Sequence, residues 1–171
     1  MSFSANNVRR FGAALLLILF AGLIVYGNVY RVPFHFDDGK RIVDNPEIRS
    51  SGNFMSLKAL LRPRAIVDLT FSWNYRLGGL DVFGYHLVNV IIHILNGFLV
   101  FALSFSILGR LSGGGGPSPV KGPAAVPSSG SEAVFFGALF TALLFVVHPL
   151  QTQAVTYIVQ RYTSLAAFFY F

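Results

Sequence analysis

The sequence predicts an all-α membrane protein built as a multi-span helical bundle. Of its 171 residues, 54% are hydrophobic and only 12% are charged, and three stretches are long and apolar enough to cross a bilayer. A spanning helix needs about 20 mostly apolar residues, because each adds about 1.5 Å against a hydrocarbon core about 30 Å thick. The 15% aromatic content excludes a disordered chain, and the absence of cysteine excludes disulfides and zinc-thiolate sites.

The first element is residues 1–30, predicted to be a cytoplasmic amino terminus followed by the first span. No charged residue occurs between Phe11 and Tyr30, and Arg9 and Arg10 precede the apolar stretch. A cleaved signal peptide is the alternative. The stretch is long for one and no small-x-small cleavage site follows it, so an uncleaved anchor is the favoured interpretation.

Residues 31–81 form the predicted loop between the first two spans. It holds six of the seven acidic and eight of the thirteen basic residues. Asp37 and Asp38 lie close to the membrane surface, where partial desolvation and a like-charged neighbour can raise a carboxyl pKa and suit it to general-base work. A solvated Asp-Asp-Gly turn is the structural alternative for this pair.

The second predicted span, residues 82–109, carries a polar face. At 100° per residue its four polar side chains fall within an arc of about 80°. Such residues at membrane depth either hydrogen-bond to neighbouring helices or line a watery cavity, and both interpretations stay open. His86, which lies nearest the loop, is the best functional candidate among them. The four residues are His86, Asn89, His93 and Asn96.

A flexible linker is predicted at residues 110–132, since 15 of the 22 residues from 111 to 132 are Gly, Pro or Ser. The third span is predicted at 133–150, and an extracytoplasmic segment follows at 151–163. A fourth span opens at 164–171 and is truncated there, so we expect the chain to be a fragment of a longer protein.

The third span ends at His148 and Pro149, where the proline stops or kinks the helix. Because the first and third spans run in the same direction, their ends emerge beside the 31–81 loop. The aspartate pair, His148 and Arg161 can therefore share one site.

Arg62, Arg64 and Arg76 lead toward the second span. Guanidinium groups bind phosphate through paired hydrogen bonds, although each arginine can instead anchor to lipid headgroups. The net charge of +6 forms no stripe, so we expect anionic lipid and no nucleic acid as a partner. A raw Lys/Arg count would place the 31–81 loop inside the cell. We place it outside, because a phosphate-binding loop retains its basic residues there.

Three segments carry a resemblance to a known family. They are FDDGKRIVDNPEIR, LTFSWNYRLGGLDVFGYHLVNVIIHILN and VHPLQTQAVTYIVQRYTSLAAFFY. The chain resembles the amino-terminal part of bacterial tetratricopeptide-repeat membrane proteins related to the transmembrane O-mannosyltransferases of the GT-C superfamily. The resemblance implies a GT-C-like bundle in a bacterial inner membrane, with an extracytoplasmic active face and downstream repeats that bind protein.

The resemblance also implies roles for particular residues. Asp37 and Asp38 fall where the family places its catalytic base, with Asp37 the first choice. The family's phosphate-binding arginine falls on Arg64, but its usual Arg-Pro-Leu is replaced here and an Arg-Pro occurs at Arg62, which leaves two candidates. Arg161 and His148 are further candidates for the donor phosphate.

The resulting hypothesis is a glycosyltransferase that moves a sugar, expected to be mannose, from a polyprenyl-phosphate donor to a protein hydroxyl with inversion. No organic cofactor is implied; a divalent metal at the aspartate pair stays open, since two carboxylates are few ligands. The alternatives are a transporter-like bundle, which would use the polar face of the second span, and a non-catalytic membrane anchor for the repeats.

Overall fold

The computed structural model describes residues 5–49, 64–113 and 129–170, and every regular element in these ranges is helical, which confirms the all-α prediction. The α-helices are α1 (Ala5–Val25), α2 (Pro46–Arg49), α3 (Ala65–Gly78), α4 (Val82–Gly113), α5 (Ser129–Val147), α6 (Gln151–Thr156) and α7 (Arg161–Tyr170). Short 3₁₀ turns occur at Val29–Arg31 and Ile158–Gln160, and a π-helical turn at Gly39–Val43.

Helices α1, α4 and α5 are long and apolar enough to cross a membrane, so the chain is a multi-pass membrane protein. Helix α1 starts six residues before Phe11 and ends at Val25, because Gly27 and Asn28 form a turn. Helix α4 begins after Asp81, whose carboxylate accepts a hydrogen bond from the Phe83 amide (3.1 Å).

The first and third spans are parallel, and α4 is antiparallel to both. At one end of the bundle Arg10 pairs with Glu132 on α5 (2.6 Å), and at the other the Tyr26 hydroxyl donates to the Val146 carbonyl (3.3 Å). Gly97 on α4 allows a close approach here, since a Cβ at that position would lie 2.5 Å from Val146 Cγ2. We call the end that contains Val146 the loop end of the bundle.

Part of the predicted 31–81 loop is helical and packs on the loop end. Its apolar side chains form one buried group with residues of α4 and of the segment that follows α6. This packing holds the aspartate pair against residues 157–162. The buried members are Ile42, Ile48, Val67, Phe71, Tyr85 and Ile158.

Candidate functional site

Asp38 is a buried clamp. Its side chain is fully buried, and its two carboxylate oxygens accept hydrogen bonds from the main-chain amides of His35 (3.2 Å) and Val159 (2.8 Å). Burial raises the pKa of Asp38, although the two amide hydrogen bonds act in the opposite direction. The carboxylate thereby fixes the start of the loop to the segment after α6.

Asp37, in contrast, presents its side chain to solvent. Its main-chain amide donates to the Tyr157 hydroxyl (3.0 Å), while its carboxylate makes no hydrogen bond or ion pair with the residues that the structure describes. The backbone of Asp37 is therefore held on both sides, and its carboxylate stays available to a ligand. The pair that the sequence presents as equivalent is divided into a clamp and an accessible acid.

Two non-glycine residues in the described ranges have left-handed backbone conformations, Phe36 (φ 50°) and Arg64 (φ 72°). For a residue with a Cβ this conformation costs about 1–2 kcal/mol. Phe36 directly precedes Asp37, and Arg64 is itself a predicted phosphate ligand. Such strain is retained where the surrounding structure enforces it, and it is enriched at functional sites.

Arg161 is fully buried, and its guanidinium donates to four neutral oxygens. The guanidinium also lies over the aromatic ring of Phe71, with its central carbon 4.3 Å from the ring centre. Burial lowers the pKa of Arg161 to about 9, so it still carries its charge at neutral pH. In this arrangement the side chain is not accessible to a phosphate from solvent. The four acceptors are Asn89 Oδ1 (2.7 Å), Asn74 Oδ1 (2.8 Å), the Tyr85 carbonyl (2.8 Å) and Thr70 Oγ1 (3.1 Å).

The polar face of α4 is likewise buried, and each of its four side chains bonds to a main-chain carbonyl of another segment. Three of the five acceptor carbonyls lie near the breaks at Pro149 and Tyr157, where a helix end leaves carbonyls without intrahelical partners. The bonds are His86 Nε2 to Val32 (2.8 Å), Asn89 Nδ2 to Val155 (3.3 Å) and Ile158 (3.2 Å), His93 Nε2 to Val146 (3.1 Å) and Asn96 Nδ2 to Ser164 (2.9 Å).

These bonds favour the interhelical interpretation of the α4 face over the transporter alternative. A side chain that lines a polar pathway keeps some contact with water, whereas all four are at most 2% exposed. Two buried atoms of this face, His86 Nδ1 and Asn96 Oδ1, have no hydrogen-bond partner among the described residues. The polar face thus connects α4 to the segments that carry the candidate site.

His148 lies half-buried at the end of α5, and its Nδ1 accepts a hydrogen bond from the Leu150 amide (3.2 Å). The proton of a neutral ring is then on Nε2, which is free to donate. The structure gives His148 no contact with Asp37 or Asp38, so its role at the donor phosphate stays a prediction. The contacts expected between the aspartate pair and the corner after α5 are made instead by Tyr157 and Val159.

Arg64 lies exposed at the edge of a groove of about 520 Å³ between α3 and α7. The groove wall is mostly apolar, and the Arg64 guanidinium stacks 5.3 Å from the centre of the Tyr162 ring. The remaining lining residues are Ala65, Ile66, Val67, Thr163, Leu165, Ala166 and Phe169. The other candidate arginine, Arg62, lies outside the described residues.

Tyr162 is held in turn by Asp68, whose carboxylate accepts a hydrogen bond from its hydroxyl. Burial raises the pKa of Asp68, and this hydrogen bond lowers it in part. The exposed Arg64 therefore rests on a ring whose position is fixed. In the three described ranges, no group of three or more His, Asp or Glu side chains is placed to hold a metal ion.

One short segment connects the two halves of the site. Tyr157 contacts Asp37, Val159 contacts Asp38, and Tyr162 supports Arg64. Five residue steps cover at most about 18 Å. The accessible carboxylate and the exposed arginine are thus held by opposite ends of the same six residues.

Comparison with known proteins points to one group. The chain is 29% identical over 177 aligned residues to Protein O-mannosyl-transferase Tmtc3 of Drosophila melanogaster, covering 96% of this chain and 19% of the fly protein. The chain is similar to the protein O-mannosyl-transferases. It is also 29% identical over 172 residues to TMTC4 of Mus musculus (92% of this chain, 22% of the mouse protein) and 30% identical over 172 residues to TMTC1 of Homo sapiens (91% and 16%).

The chain spans about a fifth of the length of these O-mannosyl-transferases. No protein-family model and no solved structure matches it. The relatives named here are animal proteins, so the bacterial source implied by the family resemblance stays a prediction, as do the downstream repeats. The similarity over most of the chain confirms the resemblance to the transmembrane O-mannosyltransferases.

Sequence reasoning missed Tyr157, Tyr162, Asp68 and Phe36. The tyrosines and Asp68 act through contacts between residues more than 90 positions apart, which no local pattern reveals. The only signal for Phe36 was its position directly before the aspartate pair, which does not reveal that its ring is exposed. Its left-handed backbone was not foreseeable from residue type, because that conformation is typical of Gly or Asn.

Proposed function

We propose that the protein to which this chain belongs is a membrane glycosyltransferase that transfers a sugar from a polyprenyl-phosphate donor to a Ser or Thr hydroxyl of a protein, with inversion. Mannose is the expected sugar, by analogy with the names of its relatives. The observation that carries the proposal is Asp37, an accessible carboxylate on a backbone fixed by Tyr157 and by the Asp38 clamp.

Asp37 is the proposed general base. It accepts the proton of the acceptor hydroxyl as that oxygen forms a bond to the anomeric carbon. The bond from the anomeric carbon to the phosphate oxygen breaks on the opposite face, and the electron pair leaves with the polyprenyl phosphate. A positioned base contributes about 10²–10⁴ to the rate of such a step.

Arg64 is the proposed ligand of the leaving phosphate. Its guanidinium lies at the edge of the α3–α7 groove, whose apolar wall suits the first part of a polyprenyl chain. A fixed positive charge at the departing phosphate stabilises the charge that develops there, and the effect is larger in a partly dry site. Arg161 is proposed to position this region rather than to bind phosphate, because it is fully buried and four of its five N–H donors bond to protein oxygens.

The test uses membranes that contain the full-length protein and a radiolabelled polyprenyl-phosphate mannose, with transfer to a Ser/Thr peptide as the measurement. We expect Asp37→Asn to lower transfer by about 10²–10⁴. Asp38→Asn keeps one hydrogen-bond acceptor and loses the other, so we expect a smaller loss through the loosened clamp. Asp44→Asn removes the same charge from an exposed position in the same loop and is the matched control.

Undiminished transfer by an inserted Asp37→Asn protein would remove the catalytic assignment. If no variant and no wild-type membrane transferred sugar, the protein would fit the membrane-anchor alternative. For the phosphate, Arg64→Gln is expected to raise the KM for the lipid donor, and Arg76→Gln, at an exposed arginine on α3, the helix that begins directly after Arg64, is its control.

A further inference from the structure

Phe36 is the most exposed aromatic side chain beside the candidate base. Its side chain is 87% exposed, although the residue lies between the partly buried His35 and Asp37 in a left-handed conformation. Neither feature favours folding, because the conformation is strained and the apolar ring gains little from burial. An exposed aromatic ring on a strained backbone is a candidate for binding.

The surrounding contacts hold this ring in place. Its centre lies 6.0 Å from that of Tyr157 and 5.6 Å from that of His35, with edge-to-face geometry in both cases. The rings of His35 and Tyr157 stack on each other at 5.5 Å with an interplanar angle of 18°. Because the Tyr157 hydroxyl also accepts a hydrogen bond from the Asp37 main-chain amide, the three rings and the backbone of the base form one connected unit.

We propose that Phe36 and Tyr157 form an aromatic platform that binds an apolar or aromatic side chain of the acceptor peptide, within two positions of the modified hydroxyl. The proposal rests on the proposed function, because it takes Asp37 as the base. Consecutive side chains lie within a few ångströms of each other, and an extended peptide advances about 3.3–3.6 Å per residue. A peptide whose hydroxyl lies at Asp37 therefore has its neighbouring residues within reach of the Phe36 ring.

The acceptor is favoured over the sugar donor by the geometry of inversion. In that reaction the base and the leaving phosphate lie on opposite faces of the sugar, so the residue next to the base lies on the acceptor side. It is favoured over membrane lipid by the charges around the ring. Insertion of Phe36 into acyl chains would carry the exposed Asp37, Lys40 and Arg41 toward hydrocarbon, which is costly.

The test compares two acceptor peptides that differ only beside the Thr, one with Ala and one with Phe. In full-length protein we expect kcat/KM to be about threefold to tenfold higher for the Phe peptide, the usual gain from an aromatic pair. Phe36→Gly removes the ring and accepts the left-handed backbone, so the ratio of kcat/KM for the Phe peptide to that for the Ala peptide should fall to about one, whatever the absolute rate of transfer. Phe36→Tyr should restore the preference, and Leu77→Ala, at an exposed apolar position on α3, should leave it unchanged.

Equal use of both peptides by wild type, or a preference that survives Phe36→Gly, would overturn the platform while transfer itself still supports the proposed function. Absence of transfer by wild type would overturn the proposed function and the platform with it. Phe36→Trp provides the lipid comparison. Fluorescence quenching by brominated phosphatidylcholine beyond that of the unmodified protein would show a ring in the acyl region and overturn the platform; no added quenching supports it.

Discussion

Two polar regions lie at the same end of this bundle. The side chains of one are buried and paired with each other, whereas those of the other face solvent. Around Arg161, buried donors and acceptors are paired with each other across α3, α4 and α7. Around Phe36 and Asp37, the backbone is strained and held by long-range bonds, whereas the side chains face solvent. The first region is buried, and four of the five N–H donors of Arg161 are already bonded to protein oxygens, so its guanidinium is not accessible to a ligand from solvent.

The difference shows that a polar residue within an apolar helix is weak evidence for a binding or transport role. In this protein such residues satisfy carbonyls released at helix breaks. The accessible side chains lie instead on the short segment of Phe36 and Asp37, which we call the Phe36–Asp37 arm, and at Arg64, the strained residue directly before α3. If this division is correct, changes in the Arg161 region should act on stability, and changes in the Phe36–Asp37 arm on activity.

The largest stability effect is expected for Arg161→Ala. The substitution leaves four acceptors without their donor, three of them on buried residues, and each buried acceptor costs about 1–3 kcal/mol when unpaired. We expect a loss of at least about 3 kcal/mol, measured as a large fall in the thermal midpoint of the full-length protein in detergent. Arg161→Lys should not restore it, because an ammonium group lacks the planar fork that reaches acceptors on several sides.

Arg76→Ala is the control for that experiment, since Arg76 is exposed on α3 and should change stability by no more than about 0.5 kcal/mol. A similar midpoint for Arg161→Ala and Arg76→Ala would show that the buried guanidinium is dispensable to the fold. A ligand role for Arg161 would then have to be reconsidered.

A smaller loss is expected for Gly97→Ala on α4. The added methyl group would lie 2.5 Å from Val146 Cγ2 and 3.3 Å from Ile18 Cγ2, so the three spans would have to separate. Overpacking of this kind costs about 1–3 kcal/mol. Gly109→Ala is the matched control on the same helix, because nothing lies within 4 Å of the added atom. Equal effects of the two substitutions would contradict the close packing at the loop end.

The sequence predicted the parts of this molecule that depend on local pattern. Hydropathy located all three spans, and the 3.6-residue period placed His86, Asn89, His93 and Asn96 on one face. Their partners were not predictable, because each bond joins residues more than 50 positions apart. For the same reason, identical neighbours such as Asp37 and Asp38 gave no sign of which one is buried.

Helix α3 is a second case of this kind. Its amphipathic pattern lies within a charged region, and its burial depends on apolar residues of α4 and of the segment after α6. A helix of 14 residues has little stability of its own and takes most of it from such packing. The sequence alone therefore described this stretch only as loop.

A modest effect is expected for Asn96→Leu, which removes one hydrogen bond to the Ser164 carbonyl and one unpartnered oxygen. Hydrogen bonds between membrane helices contribute about 0.6 kcal/mol on average. Thermal unfolding should therefore show a shift much smaller than that of Arg161→Ala. A loss as large as that of Arg161→Ala would indicate that Asn96 belongs to a coupled network with Arg161.

The smallest effect concerns the pH dependence of the Asp38 clamp. Because burial raises the pKa of Asp38, the folded protein binds a proton more readily than the unfolded chain does. The contribution of this group to stability is then fully present below the ordinary pKa of an aspartate and is lost as the pH rises through the raised value. Asp38→Asn does not titrate, so the stability of wild type relative to this variant should grow as the pH falls from 7 to about 4. A relative stability that fell instead would mean that the fold favours the ionised carboxylate. Asp38 would then resemble a charge held for a ligand, and its separation from Asp37 as clamp and base would fail.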